Sequence, residues 1–126
     1  MGFIQDNRNP HNILVDDCVI RAIATVTNKD WDEVYLGLVV EGYIEKDMPN
    51  GNIIWGNYLL SHNFSRHYLP DTCPLCYTVK QFTHDHPRGK YIVSDGSHAV
   101  AVINGDYIDT WDSGDRTVLY YFRKDW

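Results

Sequence analysis

An α+β fold, with helices first and an antiparallel sheet after them, is the class this chain of 126 residues predicts. Three observations lead there. Between residues 17 and 61, apolar side chains recur at helical spacing in three separate stretches. From residue 90 onward the pattern shortens to that of strands. Asn104-Gly105, flanked by apolar runs, is the strongest short signal for a β-hairpin. Helices in one part of a chain and strands in another mark the α+β class.

Residues 1–15 are rich in Asn, Asp and Pro and read as an irregular lead-in. A helix over 17–27 carries Val19, Ile23 and Val26 on one face with Ile20 beside them, the preceding Asp16-Asp17 pair can cap it, and Asn28 stops it. A second helix starts at Asp30, with Glu33 three residues on as a variant capping box. Its stripe is Trp31, Val34, Tyr35, Leu38 and Val39, and Gly42 marks its expected end. After the turn residues 48–52 comes a third helix over 53–61. A short strand is expected over 64–69, a loop over 70–74 and a short helix over 79–85. Strands follow at 90–94, 98–103, 106–111 and 116–122. The run from His98 to Ile103 is nearly all apolar, as in a strand buried on both faces. In the adjacent Tyr120-Tyr121-Phe122, at least one ring is expected to face outward as a contact surface.

Hydrophobic residues make up 44% and charged residues 22%, the balance of a single globular domain whose core needs no disulfide. A net charge of −6, with the eleven Lys and Arg scattered, argues against nucleic acid as a partner. No apolar run approaches the roughly 18 residues of a membrane span. The N-terminus lacks a signal-peptide layout, and Asp6 takes the place of the Ser or Thr of a myristoylation pattern. Three cysteines, an odd number, point to reduced thiols and a cytoplasmic setting.

Chemistry concentrates at three places. Cys18 opens the first helix, where the helix dipole favours a thiolate, although Asp16 and Asp17 are like charges beside it. His98 follows the Gly96-Ser97 turn and opens an apolar strand. If the hairpin turns at 104 and 105, residue 103 pairs with 106 and residue 98 lies near 111. Asp109 and Asp112 are then both in reach of the second nitrogen of His98, and a carboxylate there would set its tautomer. Cysteine, histidine and carboxylate in this arrangement are the parts of a thiol hydrolase. A buried structural cysteine, a surface histidine and water-facing aspartates are the plain alternatives.

Cys18 on a helix, His98-Ala99-Val100-Ala101-Val102 and Asp109-Thr110-Trp111, in that order, resemble the papain-like cysteine peptidase fold, closest to small bacterial and phage members with a Cys-His-Asp triad. The resemblance implies a papain-like domain in which Cys18 is the nucleophile, His98 the general base and Asp109 the orienting residue, in place of the family's asparagine. The family's oxyanion-hole glutamine corresponds to Asn12, shorter by one methylene, with Gln5 farther off in sequence. Val19 stands where plant and lysosomal members carry a tryptophan.

A rival site is Cys73-Pro74-Leu75-Cys76 with His84 and His86, half of a zinc pattern whose histidines are too close in sequence. Two ordinary thiols in a loop are the preferred reading. His11, His62 and His67 are expected at the surface. The expected function is that of a cysteine-dependent peptidase or isopeptidase acting on a peptide or protein through a thioester, without metal or cofactor. Acyl transfer would use the same residues. The alternative is a catalytically inactive binding or assembly module of the same fold, of phage origin.

Overall fold

The computed structural model describes residues 2–70 and 76–125. Within them the fold is α+β, with four helices and a six-stranded mixed sheet. The helices are α1 (Cys18–Thr27), α2 (Trp31–Glu45), α3 (Asn52–Leu60) and α4 (Val79–Asp85). The strands are β1 (Gly2–Gln5), β2 (Phe64–Tyr68), β3 (Lys90–Ser94), β4 (Ala99–Ile103), β5 (Asp106–Asp109) and β6 (Tyr120–Lys124). Their order across the sheet is β1-β5-β4-β3-β6-β2.

The expected antiparallel meander is present as β3-β4-β5, closed by Asn104 and Gly105 at φ 50° and 83°. Both turn residues are left-handed, as a type I′ hairpin requires. The lead-in departs from expectation. Residues 2–5 form a strand parallel to β5, with Gly2 opposite Asp106 and Gln5 opposite Asp109. Four residues at a sheet edge carry no periodic signal of their own. What holds them is tertiary: the Phe3 ring packs on Tyr107 at 5.5 Å, and the Gly2 N–H bonds Asp106. The last strand also differs. It is confined to Tyr120–Lys124 and returns to pair with β3, with β2 outside it.

The sheet is buried on both faces by alternation along its central strands. Ala99 and Ala101 of β4 face a core formed with α1 and α3, while Val100 and Val102 face a second core with Val79 and Phe82 of α4. The two alanines leave room for α1 to lie directly on β4. That close approach sets the start of α1 beside the start of β4. Tyr120 and Phe122 pack on the α1 side and Tyr121 on the α4 side, so the aromatic run is spent on the two cores and no outward ring results.

Helix ends follow local chemistry with three departures. Asn28 stops α1 in the left-handed conformation, φ 54°, its N–H bonding the Ala24 carbonyl. Neither Asp17 nor Asp30 caps through its side chain, and Glu33 pairs with Lys29 instead of completing a capping box. Nor does Gly42 end α2, which continues to Glu45. Gly42 is there for space: a Cβ would lie 2.6 Å from the Asp47 carbonyl oxygen of the loop folding back over it. α4 is the helix with a full capping box, between Thr78 and Gln81.

Candidate active site

Cys18, half-buried, is the first residue of α1, where its backbone N–H has no intrahelical acceptor. The two preceding acids have different fates. Asp16 is exposed and lines the cleft beside the thiol. Asp17 is buried, and its carboxylate is held by other groups. It accepts hydrogen bonds from Asn9 Nδ2 (3.1 Å), Trp31 Nε1 (3.0 Å) and Arg21 Nε (2.7 Å). The lead-in, α1 and the start of α2 are tied together there.

His98 sits on the turn before β4. The carboxylate of Asp95 fixes that turn by accepting the backbone N–H groups of Ser97 and His98 at 2.9 Å, while its other oxygen binds Arg116 at 2.6 Å. The imidazole donates from Nε2 to Asp109 Oδ2 at 2.6 Å and packs against the Trp111 ring at 5.2 Å. Nδ1 is the ring nitrogen left for Cys18. Burial disfavours the charged ring, but hydrogen bonds to Asp109 and Cys18 outweigh it and raise the His98 pKa to about 9.

Asp109, rather than Asp112, orients the ring. Asp112 turns away to accept from the Tyr107 hydroxyl (2.6 Å) and the Gly114 N–H (3.1 Å). Asp109 is buried and its two oxygens accept four hydrogen bonds. Oδ1 takes Arg21 Nη1 (2.9 Å) and the Thr110 N–H (2.8 Å), and Oδ2 takes Ser113 Oγ (2.7 Å) besides His98. Burial pushes its pKa up, and the bonds from His98, Ser113 and Arg21 more than reverse this and hold it low. With an ionised carboxylate behind the imidazole and the Cys18 sulfur on the ring's far side, the ring can carry the sulfur's proton on Nδ1 and pass it to a bound substrate.

Cys18 and His98 share two clefts. One, of about 270 Å³, is lined by Asp16, Asn50, Asn52 and Ser97 and floored by Trp55. The other, of about 280 Å³, is bounded by Leu14, Val15, Thr110 and Trp111. Asn12 lines neither. Its backbone turns left-handed at φ 54°, and it borders a separate cleft beside Gln5, Leu14 and Thr110. The structure therefore brings Cys18, His98 and Asp109 together and leaves Asn12 out.

Arg21 and Ser113 escaped sequence reasoning. Arg21 had a signal, the four-residue helical spacing from Asp17. Ser113 had none. Of the rival thiol pair, Cys73 lies outside the described residues and Cys76 is exposed. His86 is occupied with the Phe82 carbonyl at 2.9 Å, and its ring stacks on Phe82. Among the described residues no group of three or more His, Cys, Asp or Glu could hold a metal ion, and no helix is long and apolar enough to cross a membrane. Comparison with protein-family models, with curated proteins and with solved structures finds no match to this chain.

Proposed function

We propose that the protein is a papain-like thiol hydrolase that cleaves a peptide or isopeptide bond through a thioester on Cys18. The observation that carries this reading is the His98 ring, bonded at Nε2 to a buried, fourfold-bonded carboxylate, with Cys18 among the groups that hold its proton. A cysteine and a histidine meeting by chance would not require so costly a buried carboxylate behind them.

In the reaction the Cys18 proton resides on His98 Nδ1, and the sulfur adds to the substrate carbonyl carbon. The resulting oxyanion faces the unpartnered first-turn N–H of α1. His98 then delivers its proton to the departing amine nitrogen, the C–N bond breaks and the thioester remains. Water, losing a proton to His98, attacks the thioester carbon. The C–S bond breaks, the acid leaves, and the proton returns to sulfur. Asp109 stays ionised throughout and keeps Nδ1 aimed at the sulfur.

The test is site-resolved alkylation by iodoacetamide at neutral pH, followed by mass spectrometry, with a peptide-amide library assayed in parallel. His98→Ala should slow Cys18 labelling at least about tenfold while leaving Cys76 unchanged, and turnover should disappear in Cys18→Ala. Equal Cys18 labelling with and without His98 would refute the hydrolase and leave a binding module on the same scaffold.

A further inference from the structure

The two clefts that share Cys18 and His98 also share Asp16, the exposed charge on their lining. Around it the other charges balance. Asp17 and Asp109 are matched by Arg21 and the protonated His98, at 2.6 to 2.9 Å. Asp95, which fixes the His98 turn, is matched by Arg116 at 2.6 Å. Asp16 is left over: among the described residues its carboxylate makes no hydrogen bond or ion pair.

Nothing positive stands ready to offset it. Among the described residues no lysine or arginine lines the first cleft. Lys46, close in sequence to the wall formed by residues 50–52, is turned onto the Tyr43 ring at 4.0 Å. A second carboxylate is there instead: Asp47 Oδ2 lies 3.2 Å from where a Cβ on Gly51 would stand, and Gly51 lines this cleft. In the second cleft the cation is Arg21, already committed to two carboxylates.

A carboxylate beside the nucleophile works against the chemistry of Cys18, because it is a like charge to the thiolate and opposes its formation. A neutral residue two positions before Cys18 would avoid that. What accounts for an acid there is the substrate. Two residues span at most about 7 Å, within reach of a long side chain next to the carbonyl that Cys18 attacks.

We infer that Asp16 is a specificity-determining residue, and that the bond cleaved is flanked by a lysine or arginine whose cation pairs with the Asp16 carboxylate. This rests on the hydrolase reading of Cys18 and narrows its substrate from peptides in general to basic ones. Such a side chain displaces no existing partner of Asp16. The pair forms where bound substrate excludes part of the water, so it is stronger than one on open surface. A glutamate in the same place meets repulsion.

The experiment compares kcat/KM for peptide amides carrying lysine, arginine, norleucine or glutamate, placed in turn on the acyl and the amine side of the bond. Wild type should favour lysine and arginine over norleucine at least about fivefold at one of the two positions, with glutamate poorest. Asp16→Asn should bring lysine and norleucine to parity, and Asp16→Lys should place glutamate first. Ratios taken within one variant cancel any change in the Cys18 thiolate itself. Two methanethiosulfonates, one bearing trimethylammonium and the other sulfonate, read the same charge without turnover. The Cys18 thiolate attacks the sulfenyl sulfur, a disulfide forms and methanesulfinate leaves. The ratio of cationic to anionic labelling at Cys18, resolved by mass spectrometry, should fall at least about threefold in Asp16→Asn. A wild type that cleaves none of these peptides, with a labelling ratio still dependent on Asp16, counts against the hydrolase and leaves Asp16 as the site's cation selector. Cleavage without preference for lysine or arginine, a preference that survives Asp16→Asn, or a labelling ratio unchanged by that substitution would overturn the inference.

Discussion

Raising the pH through the titration of His98 should destabilise the native fold, by an amount that follows from the site. Burial opposes a charged imidazole, yet Asp109 and Cys18 keep His98 protonated up to about pH 9, against an ordinary value of 6.5. The unfolded chain lacks these partners, so its imidazole titrates at about 6.5. Below that pH both states carry the proton and the stabilisation is complete. Between 6.5 and about 9 only the native state holds it, so stability falls with rising pH, and above about 9 the contribution is gone. At roughly 1.4 kcal/mol for each pH step, the window is worth of order 3 kcal/mol. The side chain is 12% exposed, so solvent screening removes little of it. Urea denaturation at intervals from about pH 6 to about pH 9, in wild type and His98→Gln, isolates the effect. The upper limit keeps the measurement below the titration of Tyr77 and Tyr107, both raised by burial and by bonds to Asp85 and Asp112. Wild type should lose stability more steeply than the variant, and the His98 Cε1–H resonance should titrate near 9. Parallel stability curves, or a resonance titrating at or below 6.5, would refute the reasoning.

Three further outcomes follow from the same packing. Asp109→Asn removes the charge facing both Arg21 and His98, and should cost about 3 kcal/mol in urea denaturation. It should also draw the His98 titration back toward 6.5 and slow Cys18 alkylation. Gly42→Ala, on helix propensity alone, would stabilise by nearly 1 kcal/mol. Because its Cβ meets the Asp47 carbonyl oxygen at 2.6 Å, it should instead cost about 1–3 kcal/mol. Thr78→Ala loses the hydrogen bond from the Gln81 N–H at 3.2 Å and should cost about 1 kcal/mol, read as a lower urea midpoint with unchanged slope.

Elements specified by their own residues are legible in the sequence alone. α1, α4, β3 and the Asn104-Gly105 hairpin fall where periodicity and turn chemistry put them, within a residue at each end. β1 is not legible, because a four-residue edge strand exists only through its parallel pairing with β5. The extent of α2 is misjudged for a related reason. Glycine signals a helix end when it supplies backbone freedom, but Gly42 supplies absence of bulk beneath a loop whose position no local pattern encodes. In the site, hairpin arithmetic narrows the partner of His98 to Asp109 or Asp112 and goes no further. The choice rests on Tyr107, whose hydroxyl claims Asp112, and on Ser113 and Arg21, which hold Asp109.

Removing Arg21 has two effects of opposite sign. Its guanidinium bonds Asp17 through Nε at 2.7 Å and Asp109 through Nη1 at 2.9 Å, with the side chain 11% exposed. The planar fork spans two carboxylates that a lysine's point charge could not satisfy together. Arg21→Met leaves both acids buried without their cation, and should cost about 3 kcal/mol. Asp17 keeps Asn9 and Trp31, and Asp109 keeps His98, Ser113 and the Thr110 N–H, so the fold has donors to survive on. Yet Arg21 is also a positive charge sharing Asp109 with a protonated His98, and like charges oppose that proton. Its loss should therefore move the His98 titration upward from about 9 while the chain becomes less stable. Asp109→Asn lowers both quantities, whereas Arg21→Met should lower one and raise the other. Following the His98 Cε1–H resonance in both variants separates a charge-coupled site from one that is merely loosened, since loosening alone would return His98 toward 6.5 in each.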